Sequence, residues 1–440
     1  MPEPRRIRPA QVLVLVLVLA PLWKLAEPLV RRGPRPIDDQ AARGGRELFL
    51  REWTVADPLT GGDGLGPVYN ATSCVACHDL GGVGGAGRVD RNVTVYALLE
   101  PHPRGLPSSG IVHRLATEPG FQETLRLVHP SLPATPTLGP PFMNERSRPR
   151  FPGVVVSQRN PLALFGAGLI DTIPDSAILA HQREHSTTAR LLGLDRATDR
   201  QVKGRAARLS DGRLGRFGRK LEFATLNEFV REACAQELGL SSPGRPQAIS
   251  LARPGDRGKG TDLTEEQCRM LVEYVRSLPP PRQAVTAELP QAAEVAAGKR
   301  LFHLIGCADC HTESLGGVDG IYSDLLLHEL GAELESGPGY YGPGAAAAIA
   351  RAQRQDPPAP GEWRTAPLWG VADSAPYLHD GRAPTLEDAI RAHRGEASAV
   401  TDRFLELSPI ERRSLIGFLE SLRGPVAEPF PPPRGEMAAR

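Results

Sequence analysis

Apolar positions along this chain come in short blocks separated by long polar stretches rich in glycine and proline. From Leu263-Thr264, the residues Leu271, Val272, Tyr274, Val275 and Leu278 fall three or four apart. From Leu407-Ser408, so do Leu415, Ile416, Phe418, Leu419 and Leu422. That spacing predicts two amphipathic helices, N-capped by Thr264 and Ser408 and followed by Pro279 and Pro425. Thr225 to Ala233 and Pro384 to His393 read as two further helices, the second capped by Thr385 and Asp388. Leu386, Ile390 and His393 then share an apolar face, which aims the imidazole at the core. Helix-like stretches also end at Gly45-Arg46-Glu47-Leu48-Phe49 and at Gly298-Lys299-Arg300-Leu301-Phe302.

These elements form an internal repeat. The two opening stretches match each other, and so do the two closing helices. Between them Leu164-Phe165-Gly166 matches Leu368-Trp369-Gly370, each shortly after an arginine (Arg159, Arg364) and a proline (Pro161, Pro367). At 440 residues the chain has room for two or three domains. Lys and Arg number 52 against 51 Asp and Glu, so no basic excess points to nucleic acid. The 46 glycines and 43 prolines fit long irregular connections.

The N-terminus carries a different signal. Arg5, Arg6 and Arg8 precede an apolar stretch over residues 12–20, which is short for a spanning helix and reads as a secretory signal. Pro21 and Lys24 interrupt it and no small-x-small cleavage site follows, so an uncleaved anchor is the alternative. Either reading predicts export: a periplasmic or secreted protein, or one tethered to the inner membrane through residues 12–20.

Cys74-Val75-Ala76-Cys77-His78 and Cys307-Ala308-Asp309-Cys310-His311 are both C-x-x-C-H, the signature of c-type haem attachment. Two thiols three positions apart reach the two vinyl groups of one porphyrin, and the next residue offers its imidazole to the iron. Zinc would need a second cysteine pair at finger spacing, and neither motif has one. Two covalent haems are therefore predicted, on Cys74/Cys77 and Cys307/Cys310, with His78 and His311 as proximal ligands. The fold class that follows is mainly α, two tandem cytochrome c-like helical domains with long loops. Domain 1 spans 41–279 with insertions, a linker 280–291, domain 2 292–424, and a disordered tail 425–440; residues 1–40 are the signal or anchor.

A haem iron with one protein ligand needs a second for pure electron transfer, or an open face for chemistry. Of the four methionines, Met143 alone is placed to serve as a ligand, and loop packing is the simpler reading for it. His393 is the predicted distal ligand in domain 2. Counting from Thr225 as from Thr385 puts Ala233 at the matching position of domain 1. The first haem is then either open or filled from an insertion, with His113, and next to it His102, as distal candidates; His129, His181 and His185 read as solvent-facing or supporting residues.

The chain resembles the bacterial di-haem oxidoreductase family, often labelled thiol oxidoreductase-like, itself related to di-haem cytochrome c peroxidases. The residues that carry the resemblance are Asp63 to Ala71, Phe165 to Asp171, Gly215-Arg216-Phe217-Gly218, Tyr322 to His328, Ala366 to Gly370, Leu378 to Ala383 and His393 to Ala397. The resemblance implies a redox role, with electrons taken from a redox partner protein or small donor and passed to a small-molecule acceptor. It places the distal ligand of the second haem at His393, where histidine in place of methionine implies a lower potential. It puts His379 behind the iron ligands or between the haems. Related peroxidases hold calcium between domains, so calcium is a candidate cofactor, with no side-chain ligands assigned.

Cys234 and Cys268 remain after haem attachment. In an oxidising compartment a structural disulfide is the simple reading, a redox-active thiol pair the sharper one, and a Cys234 thiolate on haem a third. Trp53, Trp363 and Trp369 are core residues by default and electron conduits by alternative. Three functions compete: a di-haem oxidoreductase reducing peroxide or a similar small acceptor, a non-enzymatic di-haem electron carrier, and a thiol oxidoreductase.

Overall fold

The computed structural model describes residues 35–135, 153–191, 202–256, 258–283, 291–331, 334 and 358–425. The apolar stretch at 12–20, Met143, most of the linker and nearly all of the tail lie outside them. The chain divides into two compact units, Met1–Pro36 and Ile37–Arg440, and the second holds both Cys-x-x-Cys-His motifs.

Helix α1 (Asp39–Leu50) starts at Asp38, whose side chain accepts a hydrogen bond from the Ala41 amide at 3.0 Å. Loops then lead into a three-stranded antiparallel sheet of β1 (Val93–Leu98), β2 (Ser109–Val112) and β3 (Val154–Arg159), with β1 in the centre. The helical periodicities gave no sign of this sheet. Val93-Thr94-Val95-Tyr96 is rich in β-branched and aromatic residues, but both of its faces are buried, so the polar alternation that marks a strand is missing. Val93, Val95 and Ile111 pack on one side, and Tyr96, Val112 and Val154 on the other.

Most of the remaining regular structure is helical, with a few two-stranded pairings of two or three residues. Its helices include α2 (Ala167–Ile170), α3 (Asp175–Leu191), α4 (Leu226–Glu237), α5 (Glu265–Ser277) and α6 (Gln291–Leu304). A short hairpin of β4 (Leu327–Glu329) and β5 (Glu362–Arg364) precedes α7 (Leu386–Ala392), α8 (Ser398–Glu406) and α9 (Pro409–Glu420). Thr225, Thr264 and Ser408 each close a capping box, with Glu228, Gln267 and Glu411 respectively.

The repeat is physical. Helix α1 crosses α5 so closely that a Cβ on Gly45 would lie 1.9 Å from the Met270 carbonyl oxygen. Helix α6 crosses α9 in the same way, with a Cβ on Gly298 1.9 Å from the Ser414 oxygen. Each crossing carries one aromatic pair, Phe49 with Tyr274 at 5.1 Å and Phe302 with Phe418 at 5.3 Å between ring centroids. Ahead of α4 and α7 the chain makes matching turns, closed by bridges Phe217–Phe223 and Tyr377–Ala383.

Candidate functional site: a cavity shared by two Cys-x-x-Cys-His motifs

The first motif follows α1. Its turn is set by the Cys77 amide donating to the Cys74 carbonyl at 3.2 Å and the His78 amide to the Val75 carbonyl at 3.2 Å. The second follows α6, where the Cys307–Asp309 turn starts at Gly306 with φ 98°, a conformation that glycine adopts without strain. Both motifs, with His393, line one cavity of about 3300 Å³ of atom-free space, its open mouth included.

Three imidazoles in that cavity share one arrangement. His78 Nδ1 lies 3.1 Å from the Gly85 carbonyl, His311 Nδ1 2.9 Å from that of Tyr322, and His393 Nδ1 2.6 Å from that of Ala389. A carbonyl oxygen only accepts, so in each neutral ring Nδ1 carries the proton and Nε2 keeps the lone pair that a metal takes. Burial lowers all three pKa values, that of His311 to about 4, which keeps the rings neutral. The donor set fits two haem irons, one of them with a second imidazole at hand.

His393 was expected inside a helix. It is instead the C-cap of α7: its amide donates to Ile390, and its ring takes the Ala389 carbonyl that a continuing helix would have used. The ring still reaches the cavity. In the other half Ala233, on α4, lines the cavity and offers no ligand atom.

Residues 144–422, more than half of the chain, match the family described as "Di-haem oxidoreductase, putative peroxidase". The chain belongs to the di-haem oxidoreductase family. Among solved structures it matches a hydrazine synthase of Kuenenia stuttgartiensis at 14% identity over 90% of this chain and 95% of that one, with TM-score 0.43. It matches the diheme peroxidase BthA of Burkholderia thailandensis at 16% identity over 89% and 87%, with TM-score 0.41. A MauG-like protein associated with microbial copper homeostasis matches at 19% identity over 51% and 79%, with TM-score 0.30. No curated protein matches.

His113 does not serve as a distal ligand in this arrangement. It is buried away from the cavity, its Nδ1 3.0 Å from Glu123 and its Nε2 3.0 Å from the Gln236 carbonyl, so both ring nitrogens are engaged. His102 and His129 accept from the amides of Arg104 and Ser131, and neither lines the cavity. His181 lies 3.8 Å from Glu184, also off the cavity. The side chain of His185 lies outside the described residues. His379 does line it, stacked on Trp363 with ring centroids 4.1 Å apart and planes 13° apart. Trp369 lines it too, whereas Trp53 is buried in the core.

Cys234 lines the cavity and Cys268 is buried in the same core; both are free thiols here, with no disulfide formed between them. Burial pushes both thiols above their ordinary value. An unreactive thiol is the result.

Sequence reasoning missed two carboxylates of the cavity, Glu222 and Glu237. Glu237 could have been found by counting one helical turn beyond Ala233 on α4. It also missed a relay beside the second motif. His328 bridges Asp324 at 2.8 Å through Nε2 and Glu396 at 2.9 Å through Nδ1, and lies 3.7 Å from Cys310 Sγ. Burial opposes its charge, yet Asp324 and its neighbours raise the His328 pKa well above 6.5. Among the described residues, Cys310, Asp324 and His328 form the one cluster of three His, Cys, Asp or Glu donors. Its sulfur and imidazole do not suit calcium, which takes oxygen.

Proposed function

We propose that this chain is an exported di-haem c-type oxidoreductase, in which electrons pass from a second, bis-His site to a first site that reduces peroxide or a similar small acceptor. Bound covalently at the two motifs, haem would supply the one-electron relay and an iron open to the acceptor. The observation that carries the reading is the asymmetry inside one cavity, His393 on the second-motif side against Ala233 at the matching place of the first.

The chain's own residues divide the work. Cys74 with Cys77, and Cys307 with Cys310, anchor the groups, and His78 and His311 present Nε2 to the metals. His393 would offer a second imidazole to the second iron, which would favour electron relay over ligand exchange. Phe165, Phe217 and Phe229 line the cavity and limit water there, while Glu237 holds a carboxylate that can take and return a proton. Each half is read as one cytochrome c domain, 41–279 and 292–424.

Export belongs to the reading because c-type haem attachment requires an exported location, and it is supported by Arg5, Arg6, Arg8 and the apolar stretch at 12–20. No helix among the described residues is long and apolar enough to cross a membrane. The electron source is a redox partner protein or a small donor.

The test is to purify the protein from a host that matures c-type cytochromes, weigh it, and mix its reduced form with hydrogen peroxide. A mass gain of two haems and oxidation of donor in step with peroxide loss are expected. Two haems without any peroxide-dependent donor oxidation would leave the electron carrier as the function.

A further inference from the structure

One part of the cavity wall also gathers three guanidinium groups. Arg159, Arg219 and Arg364 line it together, with Glu222 and Asp380 the carboxylates that act on Arg159 and Arg219; Glu237 and Glu396 also line the cavity. Arg159, at the end of β3, is only 8% exposed and lies over the Trp363 ring at 4.9 Å. Lys220 Nζ lies over the same ring at 3.8 Å. Arg219 donates from Nε and Nη2 to the Asn160 carbonyl at 3.2 and 2.5 Å. Arg364 donates from Nη1 to the Arg216 carbonyl at 2.9 Å, and its Nε is buried without a hydrogen-bond partner. Among the described residues, neither Arg219 nor Arg364 is within ion-pair distance of a carboxylate.

The repeat sharpens the point. Turn residues Arg219, Lys220 and Glu222 of the first half occupy the places of His379, Asp380 and Arg382 in the second, given the matching bridges at 217–223 and 377–383. The second-half turn neutralises itself, with Arg382 on Asp380 at 2.8 Å. The first-half turn places Arg219 on the cavity, where the second-half turn places His379. Burial, then Arg159 and Arg364, push the Arg219 pKa down to about 9, and burial takes Arg159 and Arg364 to about 10. A guanidinium stays protonated in water at neutral pH, so the half-buried Arg219 and Arg364, with no carboxylate among the described residues at ion-pair distance, suit an anion bound in the cavity.

We propose that Arg219 and Arg364, together with Arg159, seat the propionate carboxylates of the bound haems. The inference rests on the haem reading above. A haem held by thioethers on its vinyl edge carries its two anionic side groups, the propionates, on the opposite edge. A planar guanidinium fork matches a carboxylate with two parallel hydrogen bonds. The unpartnered Arg364 Nε supplies one of the donors.

The test uses the haem-loaded full chain and the variants Arg219→Gln, Arg364→Gln and Arg219→Lys. Haem content is counted by mass, and the midpoint potential of each haem is followed spectroelectrochemically over roughly pH 5 to 8. In the glutamine variants at least one haem falls in potential, because a lost positive charge favours the ferric state. That potential also acquires a pH dependence, because a propionate without its guanidinium takes up a proton within the range. Arg219→Lys falls less. Should Arg219→Gln fail to load haem, Arg219→Lys and Arg364→Gln decide by the same readout. Two haems with wild-type potentials and wild-type pH dependence in every loaded variant would overturn the seat and leave the haem reading standing. A wild-type protein without two covalent haems would overturn that reading, and the seat with it.

Discussion

Gly298 lies against the backbone of Ser414, so closely that a Cβ there would sit 1.9 Å from the Ser414 carbonyl oxygen and 2.9 Å from the Phe418 Cβ. The α6–α9 crossing has no slack at that point. Gly298→Ala should therefore destabilise the protein by about 1–3 kcal/mol through overpacking, read as a lowered denaturant midpoint. Gly417, on α9 with nothing within 4 Å of its added Cβ, is the control. Gly417→Ala should be neutral or stabilise by up to about 1 kcal/mol. Equal losses in both would mean that the crossing does not depend on close approach.

His393→Ala should convert one haem from low to high spin and leave the mass of the protein at two haems. His393→Met should keep it low-spin and raise its potential, since a thioether ligand favours the ferrous state. An unchanged visible spectrum in His393→Ala would remove His393 from the iron.

Glu237→Gln should lower peroxide turnover by about 10²-fold, the lower end of what a positioned proton carrier contributes, with haem content and spectra unchanged. Wild-type turnover would place the proton acceptor elsewhere.

The His113–Glu123 pair gives a pH dependence of stability. Burial lowers the His113 pKa, Glu123 raises it, and the net is above 6.5. The folded protein thus holds this proton more tightly than the unfolded chain does. Its contribution is complete below 6.5 and is lost as pH rises through the folded value. Between about pH 6 and about pH 9 the wild type should lose more stability than His113→Asn. Parallel losses in urea titrations would contradict the pairing.

Cys234 and Cys268 should resist alkylation in the native protein. Replacing both with alanine should leave two haems and peroxide turnover in place. Loss of turnover with haems and fold intact would make the protein a thiol oxidoreductase.

What the sequence revealed follows from which interactions are local. The helix caps and the repeat were legible because Thr264, Ser408 and the Gly45 and Gly298 segments act within a few residues or recur in copy. The haem motifs were legible because three ligating or anchoring residues sit within five positions. The sheet around Val95 was not, because burial of both its faces erases the alternation that would announce it. His113 misled for a related reason: its partners Glu123 and Gln236 meet it only in the folded chain. The guanidinium cluster joins residues 159, 219 and 364, three segments that no local pattern connects.

The central claim is that one of two haem sites is open and the other closed by His393. Visible absorption and electron paramagnetic resonance spectra of the oxidised protein, with and without cyanide, test it directly. The account predicts one high-spin haem that binds cyanide beside one low-spin haem that does not. Two low-spin haems indifferent to cyanide, in both the oxidised and the half-reduced protein, would contradict it.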